Sequence, residues 1–272
     1  MVPMAKKVEE ALMTDDPKLR EDEKLVNSLA ENDIMFVGRS LSPEYITMFE
    51  LDLTALQGKR ILDVAAGPAS FTCEMCAMGF DVTAADKLYT YSPQDILTIA
   101  QRELTAAMSQ YEEDCFQVNG EPVSWLVDNP LPEINAPSKM LKIRQESIRL
   151  FIDDYEADQN RAQKRYLPLE LPDTAILGSQ LYDVILLGNL LFAYSNNEGY
   201  GYDFHLSTIR ALASHLRPEG EIRVYPFGDE NAFDFPFETL FEDLANVGIR
   251  SKVQESRHRF VKGWVKTLLL YK

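Results

Sequence analysis

From Leu53 onward the hydrophobic positions fall into short continuous runs, separated by stretches with helical spacing. "GKRILDVAAG" reads as an apolar strand leaving a basic turn, "ASFTCEMCAMG" as a helix that Gly79 stops, and "FDVTAAD" as a second strand. Further on, "YDVILLGNLLF" reads as a continuous buried strand, "DFHLSTIRALASHLRPEG" as an amphipathic helix ended by Pro218 and Gly220, and "EIRVYPF" as another strand. This alternation predicts a doubly wound α/β fold, a parallel sheet covered by helices on both faces. After the helix "FETLFEDLANVG", the runs "IRSKVQESRH" and "WVKTLLLYK" flank a short turn with Lys262 and Gly263, a hairpin that sets one antiparallel strand into the sheet.

Two regions stand outside this alternation. Residues 5 to 32 carry dense mixed charge around Val8, Leu12, Leu19, Leu25 and Leu29, the pattern of amphipathic helices lying on something larger. Between Asp86 and Arg165 about eighty residues interrupt the strands, helix-like at 94–113 and 138–157, with Pro122, Pro130, Pro132 and Pro137 breaking the middle. So long a connection predicts a structured insertion, a lid over a site. The expected organisation is N-terminal helices over 1–52 that pack on or cap a core domain over 53–272, with the helical lid at about 88–164.

Composition narrows the partners. A chain of 272 residues with 46% hydrophobic and 26% charged residues is an ordinary globular length and balance, and no apolar stretch is long enough to cross a membrane. The net charge of -16 repels phosphate backbones and anionic lipid, so no nucleic-acid or membrane partner is expected. The first residues meet acidic side chains before any apolar run, and three cysteines without framework spacing fit a reducing compartment, so a cytoplasmic location is expected. Cys73 and Cys76 form a C-x-x-C without a second pair, which reads as buried packing, and no metal is assigned.

In an open parallel sheet, ligands bind beyond the carboxyl ends of the strands where the strand order reverses. The turn from Ala65 to Ala69 falls there: small residues allow close approach, Gly67 can take a positive φ, and Pro68 stiffens the helix entry. Asp86 ends the second strand, where a carboxylate can accept hydrogen bonds from both hydroxyls of a ribose; it also reads as a helix cap. Asp63 could orient the turn or reach an amino group through water. The turn lacks both the G-x-G-x-x-G pattern and the lysine of a phosphate loop, which puts a nucleoside without phosphates ahead of NAD or ATP.

With "ILDVAAGPASF", "FDVTAAD" and the terminal hairpin, the chain resembles the class I S-adenosylmethionine-dependent methyltransferases, whose fold is a Rossmann-like seven-stranded sheet with one reversed strand. "EYITMFELDL", "FIDDYEADQNRAQKRYLPLELP", "YDVILLGNLLFAYS" and "FVKGWVKTLLL" bring it nearer to a bacterial group of uncharacterised methyltransferase-like proteins. The resemblance covers roughly residues 38 to 272. It implies S-adenosylmethionine as cofactor, with the methionine part at Ala65, Ala66 and Gly67, the ribose at Asp86 and the adenine near Leu88, Glu170 and Leu171. Asn189 and Leu190 would face the sulfonium. The chain departs from the general pattern in the missing first and third glycines, and from the closer group at Leu169, Glu170 and Asn189.

A sulfonium methyl is already activated, so alignment of the acceptor supplies most of the catalysis. Where the acceptor is protonated, His205, Asp203, Tyr194 and Glu170 are candidate bases. His205 equally reads as a helix-start residue bonded locally, and Tyr194 and Phe192 as core. Tyr45, Phe49, Tyr89, Tyr91, Trp125 and Tyr155 either line a cation-attracting pocket or pack the lid. The leading expectation is methyl transfer to a small molecule. The alternatives are attack on the cofactor's carbon chain with release of methylthioadenosine, by aminocarboxypropyl transfer or cyclisation to azetidine-2-carboxylate, and a non-catalytic binding protein. An NAD-linked oxidoreductase is disfavoured by the turn and the hairpin. The amphipathic N-terminus offers a face for a homodimer.

Overall fold

Seven short runs pair into one sheet: Arg60–Val64 (β1), Asp81–Asp86 (β2), Tyr166–Pro168 (β3), Tyr182–Gly188 (β4), Leu216–Phe227 (β5), Arg250–Glu255 (β6) and Lys266–Tyr271 (β7). The order is β3-β2-β1-β4-β5-β7-β6. All neighbours are parallel except β7, which runs antiparallel to β5 and to β6. This is the doubly wound, Rossmann-like sheet with one reversed strand that the hydrophobic pattern predicts. The computed structural model describes residues 36–111, 117–118, 121–122, 137–228, 234–258 and 265–272. The hairpin turn with Lys262 and Gly263, and Trp125, lie outside the described residues.

The central strands are apolar because both faces are covered: Ile61, Leu62 and Val64 of β1 and Val184 to Leu187 of β4 are buried. Helices Phe71–Ala77 (α1), Pro93–Tyr111 (α2), Pro137–Asp158 (α3), Tyr202–Ser214 (α4) and Phe237–Asn246 (α5) complete the unit. From β1 the chain builds outward through β2 to β3, and from β4 it builds the other way. The strand order therefore reverses between β1 and β4, and a ligand site is expected beyond their carboxyl ends.

Helices α2 and α3 fill the long connection, with a two-residue ladder, Gln117–Val118 against Glu121–Pro122, between them. Buried Asp158, the last residue of α3, accepts the backbone N–H of Arg165 at 3.1 Å and of Tyr166 at 3.3 Å, which turns the chain back into the sheet. That anchor produces β3, a three-residue strand too short for periodicity to reveal.

Two sequence expectations need correction. Helix α4 stops at Ser214, with His215 as its C-cap, and Pro218 and Gly220 stand inside β5. They occupy a bulge: Tyr182 pairs with Leu216, but Val184 pairs with Glu221. A Cβ on Gly220 would lie 3.1 Å from the carbonyl oxygens of Tyr182 and Asp183, so the bulge accepts no side chain without a shift. The run "YDVILLGNLLF" is extended only to Gly188, because Asn189 and Phe192 take positive φ, 55° and 64°.

The unit containing the sheet spans Met35–Lys272, earlier than the expected start at residue 53, while Met1–Ile34 lies outside the described residues. Residues 36 to 51 form a strap. Leu41, Tyr45, Met48 and Phe49 pack with Ile61, Phe71, Val184 and Tyr225 in the sheet core, whereas Val37 packs with Ala100, Leu104, Met140 and Ile148 of α2 and α3. Thr267 and Ser256 tie the strap down through bonds to the carbonyls of Met48 at 2.6 Å and Thr47 at 2.8 Å.

Candidate ligand site

The chain leaves β1 through two left-handed residues, Ala65 at φ 53° and Gly67 at φ 55°. An alanine in this region carries a steric cost of about 1–2 kcal/mol that glycine avoids, so the surroundings must hold it. Three contacts do. The Gly67 N–H donates to Asp86 Oδ2 at 2.8 Å, the Tyr89 hydroxyl donates to the Gly67 carbonyl at 2.8 Å, and the Ser70 N–H donates to the Arg39 carbonyl at 2.9 Å. Gly67 is buried, yet a Cβ built on it meets no described atom within 4 Å. The Cβ direction of Gly67 thus faces open space.

Asp86 is buried and its two oxygens are both used: Oδ1 accepts the Leu88 N–H at 2.8 Å and caps the short 3-10 helix Lys87–Thr90. Cap and turn clamp are therefore one carboxylate. Each oxygen keeps a second lone pair for a ligand hydroxyl. Burial raises its pKa, and the N–H bonds from Leu88 and Gly67 oppose the rise. Asp63, near the end of β1, is also buried and accepts the Tyr45 hydroxyl at 3.2 and 3.1 Å. Burial pushes its carboxyl well above the usual range, Tyr45 opposes this, and the charge of Asp86 adds to it. Two interior carboxylates at neighbouring strand ends favour hydroxyl or ammonium donors over an anion.

Leu88 is fully buried behind Asp86, Glu170 is exposed and Leu171 half-buried just past β3, and Asn189 and Leu190 follow β4. Ala66, Pro68 and Ala69 are buried in the turn. Tyr194 is half-buried in the loop after β4. The structure adds Tyr200, whose hydroxyl pKa is raised by burial and then by the charges of Glu170, Asp86 and Tyr194. Its position depends on the fold of the 189–201 loop, which no sequence period encodes. Asp203 is exposed on the first turn of α4.

His205 is fully buried, with Nδ1 2.8 Å from the Gly201 carbonyl and Nε2 2.8 Å from the Phe192 backbone N–H. These partners fix the neutral tautomer with the proton on Nδ1, and burial lowers the pKa accordingly. Both ring nitrogens are committed to the backbone, so His205 clamps the loop that carries Asn189, Leu190 and Phe192.

Of the aromatic residues, Tyr45 stacks on Phe71 at 4.4 Å, and Tyr89, Phe151, Tyr155 and Tyr166 pack together with centroids 5.3–5.8 Å apart. They pack the strap and the insertion onto the sheet. Cys73 and Cys76 are free, and burial pushes the Cys73 thiol up to about 12. Among the described residues no group of three or more His, Cys, Asp or Glu side chains is placed to hold a metal.

No family model matches the chain. An uncharacterised protein of Methanocaldococcus jannaschii is 28% identical over 238 residues, 88% of this chain and 96% of the relative. Among solved structures, a methyltransferase from Pyrococcus furiosus aligns at TM-score 0.41 and 13% identity, over 94% of this chain and 99% of its own. Magnesium protoporphyrin IX methyltransferase from Synechocystis, with bound S-adenosylmethionine, aligns at TM-score 0.41 and 14% identity over 80% and 71% of the two chains. A TehB-like S-adenosylmethionine-dependent methyltransferase from Corynebacterium glutamicum aligns at 0.42 and 16% over 81% and 84%. At these scores the likenesses add nothing to the architecture, which rests on the strand order itself: a Rossmann-like sheet with a built turn at its switch point.

Proposed function

We propose that the protein is an S-adenosylmethionine-dependent transferase that methylates a small-molecule acceptor. The observation that carries this reading is the turn after β1: Gly67 is buried but fronts open space, and its N–H is locked to Asp86 at the end of the adjacent strand. The residues present fit the cofactor. Ala65, Ala66, Gly67 and Pro68 leave room for the methionine part, Asp86 offers its remaining lone pairs to the ribose hydroxyls, and Leu88, Glu170 and Leu171 border the adenine. Asp63 is the acceptor for the ammonium.

When bound, the cofactor supplies a methyl group already activated for displacement. The protein's part is then to orient the acceptor and exclude water. The strap and helices α2 and α3 enclose the turn side, and Asn189 and Leu190 border the sulfonium side. His205, held neutral between Gly201 and Phe192, positions that loop. Glu170 is the carboxylate available as proton acceptor at the mouth, with Tyr194 a further candidate, while Tyr200, whose hydroxyl pKa burial raises, stays a hydrogen-bond donor.

Calorimetry with S-adenosylmethionine and S-adenosylhomocysteine tests the reading: wild type binds both, and Asp86→Ala loses the ribose contact and the affinity. Absence of binding by wild type, or an Asp86→Ala variant that binds unchanged, refutes it. Mass spectrometry of the by-product separates the reactions. S-adenosylhomocysteine formed with an acceptor supports methyl transfer, and methylthioadenosine formed without one replaces it by attack on the carbon chain.

A further inference from the structure

Two buried carboxylates stand on one face of the sheet at the start of the turn. Asp63 pairs in register with Ala84 of β2, and Asp86 lies two residues beyond Ala84, so the alternation of strand side chains puts both on the same side. They are 1% and 5% exposed. Their partners differ. Asp86 accepts two backbone N–H groups, from Gly67 and Leu88, each at 2.8 Å. Asp63 is met by a single hydroxyl hydrogen, that of Tyr45, whose oxygen lies 3.2 and 3.1 Å from the two carboxyl oxygens.

An ionised carboxylate offers about four lone-pair sites, and a buried one left short of donors is costly. Two like charges in one interior also resist joint ionisation. Asp86, with two N–H donors, is the better placed to stay ionised, and Asp63 to hold a proton. The shifts agree with this count: burial raises both carboxyls, Asp63 well above the usual range, while the N–H bonds and Lys87 oppose the rise at Asp86. The groups that face Asp63 are few. The strap brings Tyr45, itself under the opposed charges of Arg39 and Glu44; β2 brings Asp86; and β4 brings apolar Leu186 in register. Among the described residues no cation acts on Asp63.

We propose that Asp63 holds a proton in the free protein and releases it when an ammonium group binds, which gives the site a pH-dependent preference for nucleosides with an amino-acid end. The inference rests on the reading above, in which Asp63 accepts the ammonium of the cofactor. No bond to the ligand forms or breaks. The O–H of Asp63 ionises, its proton passes to solvent, and the ammonium supplies the donors and the charge that the protein withholds. Tyr45 is a positioning residue, its ring held by stacking on Phe71 at 4.4 Å and its hydroxyl supplying the one hydrogen that favours the anion. Since the bound state needs the anion and the free state holds the proton, affinity rises with pH up to the raised value and is level above it.

Two probes isolate the contact: S-adenosylhomocysteine carries the ammonium and methylthioadenosine lacks it. Calorimetry of the full chain from about pH 5 to about pH 7, where an α-ammonium stays charged, in buffers of differing ionisation enthalpy, reads affinity and protons released. S-adenosylhomocysteine should tighten by up to about tenfold per pH unit and release up to about one proton, with methylthioadenosine within about twofold throughout. Asp63→Asn should bind S-adenosylhomocysteine weakly and without proton release at every pH, and methylthioadenosine as wild type does. Tyr45→Phe should carry the rise in affinity to higher pH. A linkage that survives in Asp63→Asn overturns the proposal, and where that variant does not fold, a rise that Tyr45→Phe leaves unmoved does so. Wild type that binds neither probe refutes the cofactor reading, and this proposal with it. Wild type that binds both with the same pH dependence and the same proton count refutes this proposal alone.

Discussion

His258 makes the folded protein acid-sensitive in a way that can be measured at one residue. Its ring is 3% exposed, sits edge-on to Tyr225 at 5.5 Å, and places Nδ1 3.2 Å from Thr47 Oγ1. The charged groups facing it are Glu44, Arg39 and Arg144. Burial, aided by the two arginines and opposed by Glu44, lowers its pKa from 6.5 to about 3. Because the folded value lies below the unfolded one, the unfolded chain takes up a proton that the folded chain refuses. The stability contributed by neutral His258 is therefore complete above pH 6.5 and is lost as pH falls from there toward about 3.

The loss is about 1.4 kcal/mol for each pH unit in that window, or about 2–3 kcal/mol between about pH 6.5 and about pH 4.5. Against a typical stability of about 5–15 kcal/mol this is readily seen. The assay is urea unfolding of wild type and His258→Gln at about pH 7.5 and about pH 4.5, compared as the change in each protein between the two conditions. Asp63 and Asp86, whose folded pKa values are raised, act in the opposite sense, but they do so in both proteins and cancel in the comparison. Wild type should lose about 2–3 kcal/mol more than the variant. Equal losses would refute the reasoning and mean that His258 titrates alike in the folded and unfolded chains.

Two further outcomes follow from the same geometry. A Cβ on Gly38 would stand 2.6 Å from Ile148 Cγ1 and 2.7 Å from the Pro68 carbonyl oxygen, so Gly38→Ala should cost about 1–3 kcal/mol in urea unfolding and weaken nucleoside binding as the strap lifts from the turn. His205→Asn keeps a donor for the Gly201 carbonyl but leaves the buried Phe192 N–H without its acceptor, which should cost about 1–3 kcal/mol by the same measurement. If His205 acts as a base rather than a clamp, that variant would instead keep its stability and lose turnover.

The sequence by itself determined the sheet and the position of the turn. β1, β2 and β4 are apolar runs because their residues are buried on both faces, and such runs survive as a pattern in one dimension. The reversed strand was legible for a related reason: two runs separated by a short turn can only pair antiparallel, as Arg250 with Tyr271 through Glu255 with Lys266 do. Gly67 and Asp86 were legible because a strand end followed by small residues has few conformations. Tertiary structure alone decided the rest. The three residues of β3 exist because Asp158 turns the chain back, and Pro218 and Gly220 fall in a strand because β5 bulges against β4. His205 became a clamp when the loop after β4 brought the Phe192 N–H to its ring. Arg39 and Glu44 are neighbours on the strap, but Arg144 and His258 lie about one hundred and two hundred residues further on, with no shared spacing. Only packing of the strap between sheet and insertion puts their charges together, and charge interactions depend on distance in space rather than order in the chain.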